Sequence, residues 1–347
     1  MLFKSPVLIR SRRLPTWVRL GCLSLAWLVF IAWMHYQLNF ITGSRQIVSM
    51  GYMPVITNLA APLLDFVSRE GTGIRYQAVK FASFAEMAEA LRNDSIQAAF
   101  IIAPLAVVLH QQGADVKVVM IGNRHESTLV ARKDLGARRL EDLKGRTIAV
   151  PMRYSGHNLW LRKMIEKKGL DGSIRVVEMN PPDMASALTS GALDAYFVGE
   201  PFAAQTVLGK DANVVAYVES EWPNFICNLV LVKGSWLKAN AATAQQMVTA
   251  AARSGIWAKG HPAEAARIAS RYWNQSETLV YHALTEPEGR IVYDRFVPKN
   301  QELQYMADLM LRYRLIERAD IDGLIDDRYA RNVPLTGIDA LPSILAP

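Results

Sequence analysis

Beyond residue 45 the chain alternates short apolar, β-rich runs with stretches of helical spacing, which is the pattern of parallel α/β architecture. Strands are expected at residues 46–50, 74–79, 97–102, 116–121, 147–150, 175–178, 194–198 and 213–218. Between them, Ser83-Phe84-Ala85-Glu86 reads as a capping box, and Phe84, Met87, Ala88 and Leu91 then recur at i, i+3, i+4 and i+7. That spacing predicts a helix with one buried face. Pro181-Pro182-Asp183 opens another helix, with Met184, Ala187 and Leu188 as its apolar stripe and Gly191 as its stop. Towards the C-terminus the strand signal fades, and residues 241–258, 263–272 and 301–313 read as helices. In the last of these, Leu303, Met306, Met310 and Tyr313 form a core stripe without an assigned function.

Two extended runs, 127–132 and 225–232, interrupt the alternation, since neither is preceded by a crossover helix. Taken as links between two α/β lobes, they place residues 46–125 and 233–347 in lobe 1 and 133–222 in lobe 2. The hinge crossings then lie at 126–132 and 223–232. Ligands of open α/β sheets sit beyond the carboxyl ends of the strands, so two facing lobes would share one cleft.

The first 45 residues are different. Every residue from Leu20 to Met34 is apolar or small, and the run fades by Ile41, a length between a signal-peptide core and the roughly 20 residues that span a bilayer. Lys4, Arg10, Arg12, Arg13 and Arg19 all precede it or mark its start, so residues 1–45 are expected to form a basic cytoplasmic stub plus a signal anchor or signal peptide. Residues 46–347 are then periplasmic or exterior, held at the inner membrane by residues 20–41. Cys22 stands before the apolar run rather than after it, which argues against lipid attachment. Cleavage near Thr42-Gly43-Ser44 and a retained anchor both remain open.

Composition narrows the classes further. With 51% hydrophobic and 20% charged residues over 347 positions, the chain can bury a core, and disordered or fibrous readings fail. The net charge of +7 would suggest nucleic acid, but six of the basic residues and no acidic ones lie in the first 45 positions. The other 302 residues carry only +1, which leaves no electrostatic footprint for a phosphate backbone. Two cysteines, Cys22 and Cys227, give no disulfide framework and no cysteine-based metal site.

Several short motifs follow in order: Gly51-Tyr52-Met53-Pro54, Ser155-Gly156-His157-Asn158-Leu159-Trp160, Asn180-Pro181-Pro182-Asp183-Met184, and Val198-Gly199-Glu200-Pro201-Phe202. Together with Trp222-Pro223 and Phe225-Ile226-Cys227, they resemble the periplasmic substrate-binding proteins of nitrate, sulfonate, taurine and bicarbonate ABC transporters, over residues 46–300. The resemblance implies a two-lobe periplasmic binding fold that closes on a small-molecule ligand and delivers it to an ABC permease and its ATPase. A retained N-terminal anchor departs from the cleaved or lipidated leaders usual in that family.

On their own chemistry, the candidate ligand-binding residues are Tyr52, Met53, Pro54, Asn58, Pro104, Ser155, Gly156, His157 and Glu200. Ser155 is a good N-cap and His157 lies in the following first turn, where free N–H groups and the helix dipole favour an anion. His157 equally reads as a packing residue, and Ser155 as a cap alone. Glu200, at a strand end before Pro201, reads either as a helix-start acid or as an acceptor for a ligand donor, and a divalent cation on it is a third reading. Because a carboxylate repels a bound anion, compensation from Arg124, Arg153 or a metal is called for. Tyr52 and Met53 suit the wall of an apolar ligand portion, and Asn58 suits a donor. For Met53 and Pro104, ordinary loop packing is the competing reading. No cofactor is expected. An enzyme is the rival class, yet no G-x-S-x-G or comparable nucleophile constellation is present. A tethered ligand sensor or scaffold is the other alternative.

Overall fold

The structure is a computed structural model that describes residues 15–36 and 45–346. It divides into two compact units, Met1–Gln46 and Ile47–Pro347. The first contains α1 (Thr16–Tyr36), a 21-residue helix with no buried residue, whose only Lys, Arg, Asp or Glu is Arg19. The proposed cleavage segment Thr42-Gly43-Ser44 lies outside the described residues.

The second unit begins with β1 (Ile47–Tyr52), α2 (Ala60–Val67), β2 (Arg75–Lys80), α3 (Phe84–Arg92), β3 (Ala98–Ile102), α4 (Ala103–Gln111) and β4 (Val116–Ile121). The chain continues with β5 (Ser127–Arg132), β6 (Thr147–Val150), α5 (Gly156–Lys167), β7 (Arg175–Glu178), α6 (Pro181–Thr189), β8 (Ala195–Gly199), α7 (Phe202–Leu208) and β9 (Ala212–Tyr217). After β10 (Asn228–Lys233) come α8 (Gly234–Ala239), α9 (Ala241–Gly260), α10 (Pro262–Trp273), α11 (Glu277–Thr285), α12 (Asn300–Arg312) and α13 (Arg328–Arg331). Helix α11 was not anticipated by the pattern; it packs on α10 and on α7.

Two five-stranded sheets result, in the orders β2-β1-β3-β10-β4 and β7-β6-β8-β5-β9. In each, four strands run in one direction and one antiparallel strand is inserted among them. β10 runs between β3 and β4, with Asn228 opposite Ile102. β5 runs between β8 and β9, with Ser127 opposite Gly199. The runs read as crossings are thus full sheet strands.

Alternation along the strands sets the layers. In lobe 1, Val48, Met50, Phe100, Val230 and Val232 pack with Met247, Trp257 and Ile268 of α9 and α10. Ile101, Leu229 and Leu231 belong instead to a second core that includes Met87 and Leu91 of α3. This core continues into lobe 2 through Val130, Ile148, Trp160 and Tyr196. The stripe of α12 is core at Leu303, Met306 and Met310, while the Tyr313 hydroxyl donates to Glu166 Oε2 at 2.9 Å.

Beside the two extended runs expected to be crossings lies a third segment. Arg124 forms bridges with both Ile226 and Val292, so the segment after α11 runs beside the other two. Arg124, expected at the surface or beside a ligand, is buried here. Its guanidinium donates to the carbonyls of Arg295 (2.8 Å) and Asn224 (2.7 Å) and pairs with Glu302 at 3.0 Å.

Candidate functional site

The loops that follow the parallel strands of the two sheets meet each other. The amide of Ile56 donates to the carbonyl of Glu200 at 2.8 Å, a direct bond from lobe 1 to lobe 2. Near the edge strands β2 and β7 the meeting loops leave a pocket of about 280 Å³, lined by Ser83, Phe84 and Ala85 from lobe 1 and by Pro151, Met152, Glu178, Met179 and Asn180 from lobe 2. Ser83 caps α3, its hydroxyl accepting from the amide of Ala85 at 3.1 Å. Arg153, at the pocket edge, holds both oxygens of Glu178 through its backbone amide and Nε, each at 2.8 Å. We call this end of the cleft the mouth.

The opposite end, towards the crossings, is a packed polar floor. His157 is 1% exposed, and its Nε2 lies 2.9 Å from the Ser127 hydroxyl. The edges of Phe197 and Phe225 close around its ring, and burial pushes it down to about 3, so it is neutral. Ser127 Oγ also donates to Glu126 Oε1 at 3.3 Å. Glu126 is fully buried against Gly199, where a Cβ would stand 2.6 Å from the carboxylate, so only glycine leaves it room. Burial pushes Glu126 up to about 7; the Cys227 thiol beside it opposes this and the charge of Glu200 adds to it. Cys227 is itself raised well above an ordinary thiol, first by burial and then by Glu126. From there a chain of hydrogen bonds enters lobe 1: Cys227 Sγ to Asn228 Oδ1 (3.3 Å), Asn228 Nδ2 to Asn58 Oδ1 (2.7 Å), and Asn58 Nδ2 to the carbonyl of Met53 (3.1 Å).

Glu200 completes the floor. It accepts from Thr128 Oγ1 at 2.7 Å and from the amide of Ala204 at 2.8 Å, and Arg290 lies 3.5 Å away. Arg290 comes from the segment after α11 and reaches into lobe 2. It donates to Thr128 Oγ1 (2.9 Å), to the carbonyl of Ser127 and to Glu219 (2.8 Å), with its guanidinium over the Tyr217 ring. The Glu200 oxygens are engaged by protein donors, and among the described residues no group of three or more His, Cys, Asp or Glu is placed to hold an ion.

The sequence-derived candidates separate accordingly. Asn58, His157 and Glu200 converge on the floor, with Met53 contributing its carbonyl. Ser155 is the α5 cap, accepting from the amide of Asn158 at 3.2 Å, and it donates to the carbonyl of Met152 at 2.7 Å. Gly156 permits close approach to the Phe225 ring, 2.7 Å from the position of a Cβ. Pro54 is buried in the loop after β1, and Pro104 is buried in the first turn of α4. Tyr52 lies on the other face of β1, in the core with α10, where its hydroxyl donates to the carbonyl of Tyr272 at 3.2 Å. None of these nine lines the mouth. Ser83 and Asn180 do; the sequence marks Ser83 as a helix cap and Asn180 as the head of a family-like motif, neither as a ligand contact, although each follows a parallel strand where such sheets gather ligands.

Fold and cleft together define a two-lobe α/β binding protein. The chain belongs to the NMT1-like family, whose sequence profile matches residues 42–272. A putative aliphatic sulfonates-binding protein of Bacillus subtilis is 23% identical over 269 residues, 76% of this chain and 79% of that protein. Among solved structures, the ligand-binding component of an ABC-type import system from Staphylococcus aureus, with zinc bound, superposes with a TM-score of 0.75 at 20% identity, covering 84% of this chain and all of the other. The periplasmic nitrate-binding protein of Synechocystis PCC 6803 gives the same TM-score at 15% identity, covering 83% of this chain and 88% of that one.

Proposed function

We propose that this chain is the extracytoplasmic solute-binding component of an ABC importer, taking a small ligand of the nitrate, sulfonate, taurine or bicarbonate class and presenting it to a permease and ATPase. The observation that carries this reading is the mouth, a pocket whose walls come from both lobes and whose size is near the low end of the ~300–1,000 Å³ usual for small-molecule sites. Its groups suit a compact ligand with an anionic end: Arg153 can leave Glu178 for an incoming oxyanion, and Asn180 offers an amide. The relatives are named as binding proteins, which supports binding and release rather than catalysis.

The reading extends to the membrane. Helix α1 is 21 residues long, about 31 Å at 1.5 Å per residue, against a hydrocarbon core of about 30 Å. In this reading it is a retained anchor that keeps the binding unit beside its permease. Calorimetry of the full chain in detergent against nitrate, bicarbonate, taurine and short alkylsulfonates tests the ligand class. Saturable binding of one of them is expected, weakened by Arg153→Ala. Failure of every compound to bind would overturn it.

A further inference from the structure

The mouth accounts for ligand capture without using the most unusual group in the cleft, which is Glu126. This carboxyl is buried between the lobes: its backbone carbonyl accepts from the amide of Glu200, its side chain rests on Gly199 of lobe 2, and Cys227 stands beside it on the lobe 1 side. One oxygen takes the weak Ser127 bond, and the other, Oε2, has no hydrogen-bond partner among the described residues. Nearby, Thr57 Oγ1 and His157 Nδ1 are also buried without a partner. An ionised carboxylate does not persist in such a place unless it is paired, and an isolated buried charge costs far more than protonation does.

The charged and titratable groups around it do not supply that pairing. On the β8 to α7 turn, Glu200 is of like sign. Arg290, on the segment after α11, and the Cys227 thiol both favour the ionised form, but Arg290 gives its hydrogen bonds to Thr128, Ser127 and Glu219, and the thiol donates to Asn228 Oδ1. Tyr293 on the same segment is buried and pushed up, partly by Glu126 itself. Cys227 on the second crossing and His157 on α5 are both held neutral by burial. The geometry points to a closure-linked proton: shutting the two lobes over the floor places a proton on Glu126, so acid favours the closed form and ionisation of Glu126 opens it.

The linkage has a definite sign. In an open cleft, with the Ile56 to Glu200 bond broken, water reaches the floor and the carboxyl returns towards its ordinary value of 4.5; in the closed form it is about 7. The closed form therefore binds more protons. The closed-to-open ratio is greatest in acid and falls by up to about tenfold per pH unit between these values. This deepens the solute-binding reading by making capture acid-favoured, but its test needs no solute.

Spin labels at Lys80→Cys and Asp171→Cys, both exposed and on opposite lobes, report the separation in a Cys22→Ser full-length chain, with Cys227 left buried and unlabelled. Pulsed electron resonance without added solute should show the ratio of short to long distances falling at least tenfold from pH 5 to pH 8. Glu126→Gln, which mimics the protonated acid, should hold the ratio at its acid value throughout. Should that variant fail to fold, Glu126→Met provides the same neutral comparison. A distance distribution in the parent that does not respond to pH overturns the inference, as does an equal response in the neutral variant. If none of the calorimetric compounds binds while the distances still follow Glu126, the ligand assignment falls and the proton coupling stands.

Discussion

The two ends of the cleft are built from the same kind of loop, yet they treat polar groups in opposite ways. At the floor, Asn58 and Asn228 bond to each other, and Thr128, Glu200 and Arg290 bond among themselves, beside the two crossings and the segment after α11. At the mouth, Asn180 is exposed and Arg153 is held by a single exposed acid, Glu178. A network that satisfies itself holds the lobes in register, and one left partly open recognises something else. The comparison suggests that stability and affinity can be separated by position along the cleft.

The largest separation should come from Arg290→Ala. Removing this guanidinium leaves Glu200 buried beside another acid, and breaking a buried ion pair typically costs about 3–5 kcal/mol. Urea unfolding should show that loss, with ligand affinity in any surviving folded fraction changed far less than stability. A loss under about 1 kcal/mol would mean that the segment after α11 does not hold the floor together.

A smaller effect, and one with a pH signature, is expected of His157→Asn. His157 is pushed down to about 3 in the fold against 6.5 in the open chain, so the unfolded state binds more protons. Its contribution is complete above pH 6.5 and is lost as the pH falls towards 3, at about 1.4 kcal/mol per unit. The variant should lose roughly 1–3 kcal/mol at pH 7.5 and show a shallower decline in acid. Glu126 works in the reverse direction: its share of stability is present below 4.5 and lost as the pH rises through about 7. Unfolding curves at several pH values between 4 and 8 resolve the two slopes. If His157→Asn is as acid-sensitive as the parent, the buried neutral imidazole is not the cause.

The smallest stability change should be at the mouth. Asn180→Ala is expected to shift unfolding by less than ~0.5 kcal/mol while weakening solute affinity by about 2- to 10-fold, the worth of one net hydrogen bond. Calorimetry and a melting curve on the same sample check both. A large stability loss without an affinity change would erase the contrast between the two ends.

Much of this fold is legible in the sequence because strands and helices leave local periodicity. The run 127–132 coincides with β5, the run 225–232 begins three residues before β10, and the eight other expected strands fall within two residues of those observed. Tyr52 illustrates a signal present in the sequence: it shares its face of β1 with Val48 and Met50, four and two residues earlier, and that face belongs to the core. The segment after α11 leaves no such trace. Arg290 lies in an irregular stretch, and its partners Thr128, Glu200 and Glu219 are brought to it only by folding. Glu126 is similarly silent, since a lone acid between His125 and Ser127 acquires its meaning from Gly199 and Cys227, distant in sequence.

The interleaving of the sheets also governs the order in which the molecule can come into being. Strand β10 separates β3 from β4, so when a growing chain has delivered everything up to residue 227, lobe 1 still has a gap in its middle. Lobe 2, whose sheet spans Ser127–Tyr217 without interruption, can be complete by then. The later lobe is therefore finished first, and the earlier one waits for a strand made more than a hundred residues after its neighbour β4. Pairing across such a separation is slow to form, which would keep the N-terminal part of a nascent chain pliable until β10 arrives to set it.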